Sequence, residues 1–197
     1  YNPSNPFYYV KRHLIALLIA SVLGFISYMI PMDFWKKWAY VFFGFGVILL
    51  VLVYVLPSDS TGTHRWINLG FFKFQPSEYI KFGLVLFIAK YFSRKEEILK
   101  SSEPLIVIFT VVFFVATLVA FEPHKGAAIY LFALTVLILL SSNVNIKPIV
   151  IAIPLMITFA SFLIINSHYA KSRFIGMLNP DPTTKEGYQA FQSMVAF

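Results

Sequence analysis

Two polar clusters interrupt an otherwise apolar chain, and each carries charged side chains able to do chemistry. The first runs from Gly62 to Lys81. Within it, Gln75-Pro76-Ser77-Glu78 reads as a helix start, with Gln75 at the N-cap. Pro76 then falls at the first helical position, where its missing N–H costs nothing. Glu78 falls in the first turn, where a carboxylate meets the positive end of the helix dipole. Lys81 follows one turn later on the same face, within reach of Glu78. A charge well inside a bilayer costs roughly 2.5–3.5 kcal/mol, so such groups usually pair and face a cavity. The plainer reading is a helix-terminal carboxylate with a snorkelling lysine. Upstream, Arg65 to Gly70 reads as a short strand entering a turn, and Phe71 to Phe74 as a second short strand. The second cluster, Tyr169 to Ser193, holds Lys171, Arg173 and Asp181. A carboxylate there can take a proton from a hydroxyl, a contribution of roughly 10²–10⁴-fold to a rate. It can equally hold a hard cation such as Mg²⁺ together with phosphate oxygens. Arginine grips phosphate oxygens in bidentate fashion. On composition alone, Asn179-Pro180-Asp181-Pro182 is first of all a turn.

The elements that must position these residues are apolar helices. The chain of 197 residues is 58% hydrophobic and 13% charged, with 22 Phe and a mean hydropathy of +0.74. Soluble domains are nearer half apolar and a quarter charged, so the composition reads as an integral membrane protein without a soluble domain. The absence of Cys excludes disulfides and cysteine metal sites. Four scattered His (13, 64, 124 and 168) have no ligand spacing. Gly44-Phe45-Gly46 lies inside an apolar run with no strand before it, which excludes a nucleotide-binding loop. No repeat or low-complexity tract is visible. The first residue is not Met and the last lie in an apolar run, which reads as a piece of a longer protein.

Six apolar runs are expected to span the membrane: His13–Ile30, Ala39–Leu56, Pro76 to about Phe92, Pro104–Phe121, Ala127–Ser142 and Pro148–Ile165. Each approaches the ~20 residues that cross a bilayer as a helix. Met32–Trp38 is expected to be a short amphipathic link, and Ser93–Glu103 a charged one. The predicted fold class is all-α, a polytopic transmembrane helical bundle forming one domain over residues 1–197. A loop over 57–76 and a larger one over 166–192 lie on the same side.

Arg65-Trp66-Ile67-Asn68-Leu69-Gly70, then Gln75-Pro76-Ser77-Glu78 and Lys81, resembles the SEDS (shape, elongation, division and sporulation) family, the FtsW/RodA/SpoVE-like glycan polymerases of bacterial cell walls. Asn179-Pro180-Asp181-Pro182, Gly187-Tyr188-Gln189 and Gln192-Ser193 resemble the family's large outer loop. Gln189, Asn68 and the start Asn5-Pro6-Phe7-Tyr8 are most similar to the division-type FtsW branch. The resemblance covers essentially the whole chain, which would match the second to seventh helices of a ten-helix fold. Two departures stand out. The segment from Pro180 to Gly187 is about one residue short, and His124-Lys125 replace a usual Asp and apolar neighbour after Glu122-Pro123.

The resemblance implies a multi-pass protein of the bacterial cytoplasmic membrane that polymerises lipid II, an undecaprenyl-diphosphate-linked precursor. It implies Asp181 as the catalytic carboxylate, and with it the odds between turn and catalyst reverse. Arg65, Lys171 and Arg173 become candidate substrate-binding residues, and Glu78 with Lys81 a supporting ion pair near the cavity. A divalent cation, Mg²⁺ or Mn²⁺, is a possible cofactor at Asp181. Implied partners are a class B penicillin-binding protein and other division proteins; nucleic acid is not expected. The resemblance also implies that both polar clusters face outward. The positive-inside rule weakly opposes this, because nine Lys and Arg lie on that side against seven on the other. The formal net charge of +7 then has a use on the outer side, in holding an anionic diphosphate lipid. The rivals are a lipid II flippase and an unrelated secondary transporter. The latter normally shows interrupted helices in matching halves, which are not found.

Overall fold

The computed structural model describes residues 7–56, 64–68, 73–93, 103–122, 125–142, 147–178, 180 and 183–195. Among them it shows eight helices and one two-stranded hairpin. Six helices fill the six apolar runs: α1 (Tyr8–Met29), α2 (Met32–Val55), α3 (Pro76–Phe92), α4 (Glu103–Phe121), α5 (Lys125–Leu140) and α6 (Lys147–Ile165). The hairpin pairs β1 (Ile67–Asn68) antiparallel with β2 (Lys73–Phe74), Ile67 opposite Phe74 and Asn68 opposite Lys73. The chain is an all-α, multi-pass membrane fold. Stretches within α1, α2 and α4 are long and apolar enough to cross a bilayer alone; α5 and most of α6 are shorter apolar helices.

The chain divides into two compact units, residues 1–39 and 40–197. In the first unit, none of the apolar stretch Val10–Met29 is buried. Pro31 ends α1 by holding Ile30 in an extended conformation (φ −73°, ψ 125°), as the residue before a proline prefers. The expected link Met32–Trp38 is instead the opening of α2. Asp33 sits in its first turn, the Phe34 N–H donates to the Pro31 carbonyl at 3.0 Å, and Lys36 lies 3.7 Å from Asp33. The 24 residues of α2 extend about 36 Å, longer than a hydrocarbon core of about 30 Å. The charged turn can therefore project past the apolar layer, which is why its composition read as a link.

The core of the second unit is built by helical stripes. Ile80, Leu84 and Ile88 of α3, Ile108, Val112, Val115 and Val119 of α4, and Ala128, Leu131 and Leu139 of α5 are buried together with Leu50 of α2. Their spacings of three, four and eight residues put each set on one helix face. Lipid is as apolar as these side chains, so close fit, more than hydrophobic exclusion, holds such helices together. The closest approach of one helix to another's backbone at a described glycine is at Gly83, where a Cβ would lie 3.1 Å from the Phe43 Cα and 3.2 Å from the Phe42 carbonyl oxygen. Beside it Phe43 and Phe87 stack at 4.6 Å. Hydroxyls inside the helices turn back on their own backbone: Thr110, Thr117 and Thr135 donate to the carbonyls of Ile106, Phe113 and Leu131, each at 2.8 Å. Thr158 does the same to Pro154 at 2.9 Å.

The stretch 166–192, expected as a loop, contains two further helices, α7 (His168–Leu178) and α8 (Lys185–Val195). They pack against each other, and α7 against α6. Thr184 caps α8, its hydroxyl oxygen accepting the Gly187 N–H at 3.1 Å.

Candidate active site

The α3 start forms largely as its residues dictate. Gln75 occupies the N-cap with Pro76 behind it, but its side chain makes no cap. Its Nε2 donates instead to the Ser77 hydroxyl at 2.9 Å. Glu78 and Lys81 pair at 2.7 Å, and the Lys81 ammonium stands 4.9 Å from the Tyr130 ring centroid on α5. Glu78 is about half exposed, so the pair contributes about 1 kcal/mol or less. The contact with Tyr130 adds a cation–π attraction that ties α3 to α5.

Arg65, just before β1, reaches 57 residues ahead: its Nε donates to the Glu122 main-chain carbonyl at 3.4 Å. Glu122 follows α4 directly and is fully buried. Neither carboxylate oxygen has a hydrogen-bond partner in good geometry among the described residues. Burial pushes this carboxyl up to about 8, against the opposing pull of the neighbouring Ser77 hydroxyl and the Arg65 charge. Tyr54 of α2 approaches the same corner, but its hydroxyl donates to the Leu118 carbonyl. Across the α4–α5 turn, Lys125 donates to the Leu163 carbonyl in the last turn of α6 at 3.2 Å, where a cation complements the helix dipole. The departure at Lys125 thus has a structural role.

Lys171 lies on α7 with an exposed side chain. Positions 171 and 173 are two residues apart on this helix and so fall on different faces. The Arg173 side chain and Asp181 lie outside the described residues. The structure therefore brings together Glu78 with Lys81, and Arg65 with the end of α4. Among the described residues no group of three or more His, Asp or Glu is placed to hold a metal.

The family described as Cell cycle protein, FtsW/RodA/SpoVE, matches residues 2–197. The chain belongs to the FtsW/RodA/SpoVE family. Among similar members, a "Probable peptidoglycan glycosyltransferase FtsW" of Haemophilus influenzae is 32% identical over 196 residues, covering 98% of this chain and 50% of the relative. One of the same description from Escherichia coli O157:H7 is 31% identical over 197 residues, covering 98% and 47%. A solved structure described as "Structural coordination of polymerization and crosslinking by a peptidoglycan synthase complex" superposes with a TM-score of 0.66 at 26% identity, over 94% of this chain and 56% of that one. The chain spans about half the length of the curated relatives it matches.

In the sequence of this family member Glu122 stands out only as the residue that precedes the departure at His124-Lys125. The available signal was a carboxylate ending an apolar run, a costly position that usually marks a pairing or a site. Its burial has a measurable consequence. Below the unfolded-state value near 4.5 both states hold the proton. Between that value and about 8 the folded state holds it and the unfolded state does not, so raising the pH favours unfolding. Thermal stability in detergent is expected to fall across this window, by on the order of a few kcal/mol, and to level off above it. Glu122→Gln should flatten the decline, and an unchanged slope in that variant would exclude Glu122 as its source.

Proposed function

We propose that the full-length protein carrying this chain is a peptidoglycan glycosyltransferase of the division type, polymerising lipid II at the outer face of the bacterial cytoplasmic membrane. The observation that carries the reading is the match of nearly the whole chain to family members named for this activity. The likeness to a chain from a peptidoglycan synthase complex supports a class B penicillin-binding protein as partner, alongside other division proteins.

Asp181 is the proposed base. The 4-hydroxyl of the incoming lipid II attacks the anomeric carbon of the lipid-linked growing glycan. The new glycosidic bond forms as the bond to the diphosphate breaks. The hydroxyl proton passes to Asp181, and the lipid diphosphate leaves with its electron pair. An α-linked donor giving a β-linked product needs one displacement and therefore one base. Arg65 at the α4 mouth, with Lys171 and Arg173 on α7, are the proposed cationic contacts for the diphosphate. Glu78, Lys81 and Tyr130 hold α3 against α5. A divalent cation, Mg²⁺ or Mn²⁺, held by Asp181 would supply charge neutralisation at the leaving diphosphate.

The test is glycan synthesis from labelled lipid II by the full-length protein with its penicillin-binding partner, with and without EDTA. Glycan ladders are expected. Their loss in EDTA and return with Mg²⁺ would show that a divalent cation takes part in the reaction. Lipid II translocation across vesicles without any ladder, from a folded and partnered preparation, would replace the polymerase by a flippase.

A further inference from the structure

An apolar crevice runs between α5 and α6. Ile129, Phe132 and Ala133 line it from α5, and Ile153, Ile157 and Ala160 from α6. It encloses about 150 Å³. Ala133, Ile153 and Ile157 are exposed along it. Phe132 is buried and meets Phe159 of α6 edge to face, with 5.6 Å between ring centroids.

One end of this crevice is headed by a charge. Lys125 precedes positions 129, 132 and 133 by four, seven and eight residues, so it stands on the same α5 stripe. Leu163 continues the α6 stripe three residues beyond Ala160. The Lys125 ammonium donates to the Leu163 carbonyl at 3.2 Å, which joins the two stripes where α5 begins and α6 ends. An ammonium has three donors, and among the described residues Lys125 forms no ion pair. An anion beside it would also meet the positive end of the α5 dipole. The 16 residues of α5 extend about 24 Å, less than a hydrocarbon core of about 30 Å. Lys125 therefore stands where acyl chains give way to headgroups, and its stem can carry the ammonium to the phosphates.

We propose that this crevice is a binding site for one anionic phospholipid, with its phosphate on the Lys125 ammonium and one acyl chain along the apolar walls. Lipid tails are as apolar as the helices, so apolar contact alone selects nothing. The charge at the head of the crevice selects a net-negative headgroup over a zwitterionic one. A lipid seated there bridges the start of α5 and the end of α6, the helix on which α7 packs. The site does not depend on the polymerase reading; a translocating protein would carry it equally.

The experiment titrates the full-length protein in detergent with phosphatidylglycerol and with phosphatidylcholine, counting retained lipids by native mass spectrometry. Wild type is expected to prefer phosphatidylglycerol about fivefold, the effect of one lysine at a membrane surface. Lys125→Arg should keep the preference and Lys125→Met should abolish it. Ala160→Phe fills the crevice from α6 and leaves the Lys125 contact with Leu163 in place, so it keeps the test decisive if Lys125→Met fails to fold. It should weaken phosphatidylglycerol binding severalfold. Equal affinities in wild type, a preference that survives in Lys125→Met, or unchanged binding in Ala160→Phe would each overturn the site. So would displacement of the phospholipid by an equimolar amount of undecaprenyl diphosphate, which would give the crevice to the substrate of the proposed reaction.

Discussion

Asp181→Asn is expected to lower glycan synthesis by roughly 10²–10⁴-fold at unchanged membrane levels. The substitution separates the two uses of this position. Asn is as good a turn residue as Asp, so a position that only shapes Asn179-Pro180-Asp181-Pro182 would tolerate it. An amide neither takes a proton from a sugar hydroxyl nor binds a hard cation as a carboxylate does. Gel analysis of products from labelled lipid II, with the penicillin-binding partner present, decides the matter. Ladders of wild-type intensity from the Asn variant would remove Asp181 from the chemistry while leaving the polymerase in place.

The second large effect is structural. Gly83→Leu is expected to abolish recovery of folded protein, and Gly83→Ala to lower its melting temperature. The atoms a new Cβ would meet belong to the α2 backbone at Phe42 and Phe43, so no rotamer change relieves the contact. The helices must part, and overpacking of this kind costs about 1–3 kcal/mol or more. Separation also undoes the stacking of Phe43 on Phe87. Gly44 is the control. A Cβ there meets nothing within 4 Å, and replacing a helical Gly by Ala gains about 0.5–1 kcal/mol of helix propensity. Size-exclusion profiles and melting curves in detergent should thus move in opposite directions for the two alanine variants. Equal behaviour would show that the α2–α3 approach does not depend on fit at Gly83.

The six apolar helices were legible because apolar runs and prolines mark them directly: Pro31 stops α1, and Pro76 opens α3 at the residue expected. The Glu78–Lys81 pair was legible for the same reason, being local to one helix turn. Three features were not. The start of α2 carries Lys36 and Lys37, whose charge hid a helix that continues beyond the apolar layer. α7 and α8 are amphipathic and lie among Asn, Asp and Pro, so their composition resembled a loop. Glu122 depends on Arg65, 57 residues away, and on Ser77 at the start of α3. No local pattern encodes a partnership between three separate elements.

The self-satisfied hydroxyls of α4, α5 and α6 bear on how the protein is made. Thr110, Thr117, Thr135 and Thr158 have their donors answered inside their own helices, so none must wait for a neighbour before meeting lipid. These helices can leave the insertion machinery one at a time and associate afterwards. Glu122 is the exception, since its surroundings include Arg65 and Ser77, which are synthesised earlier. Arg65 and Ser77 must therefore lie on the same side of the membrane as the end of α4 before the corner can form. The corner at Glu122 closes only once the hairpin and the α3 start have met the end of α4, and a chain whose hairpin segment lay on the opposite side of the membrane would strand an acid at the end of α4 and expose itself to membrane quality control.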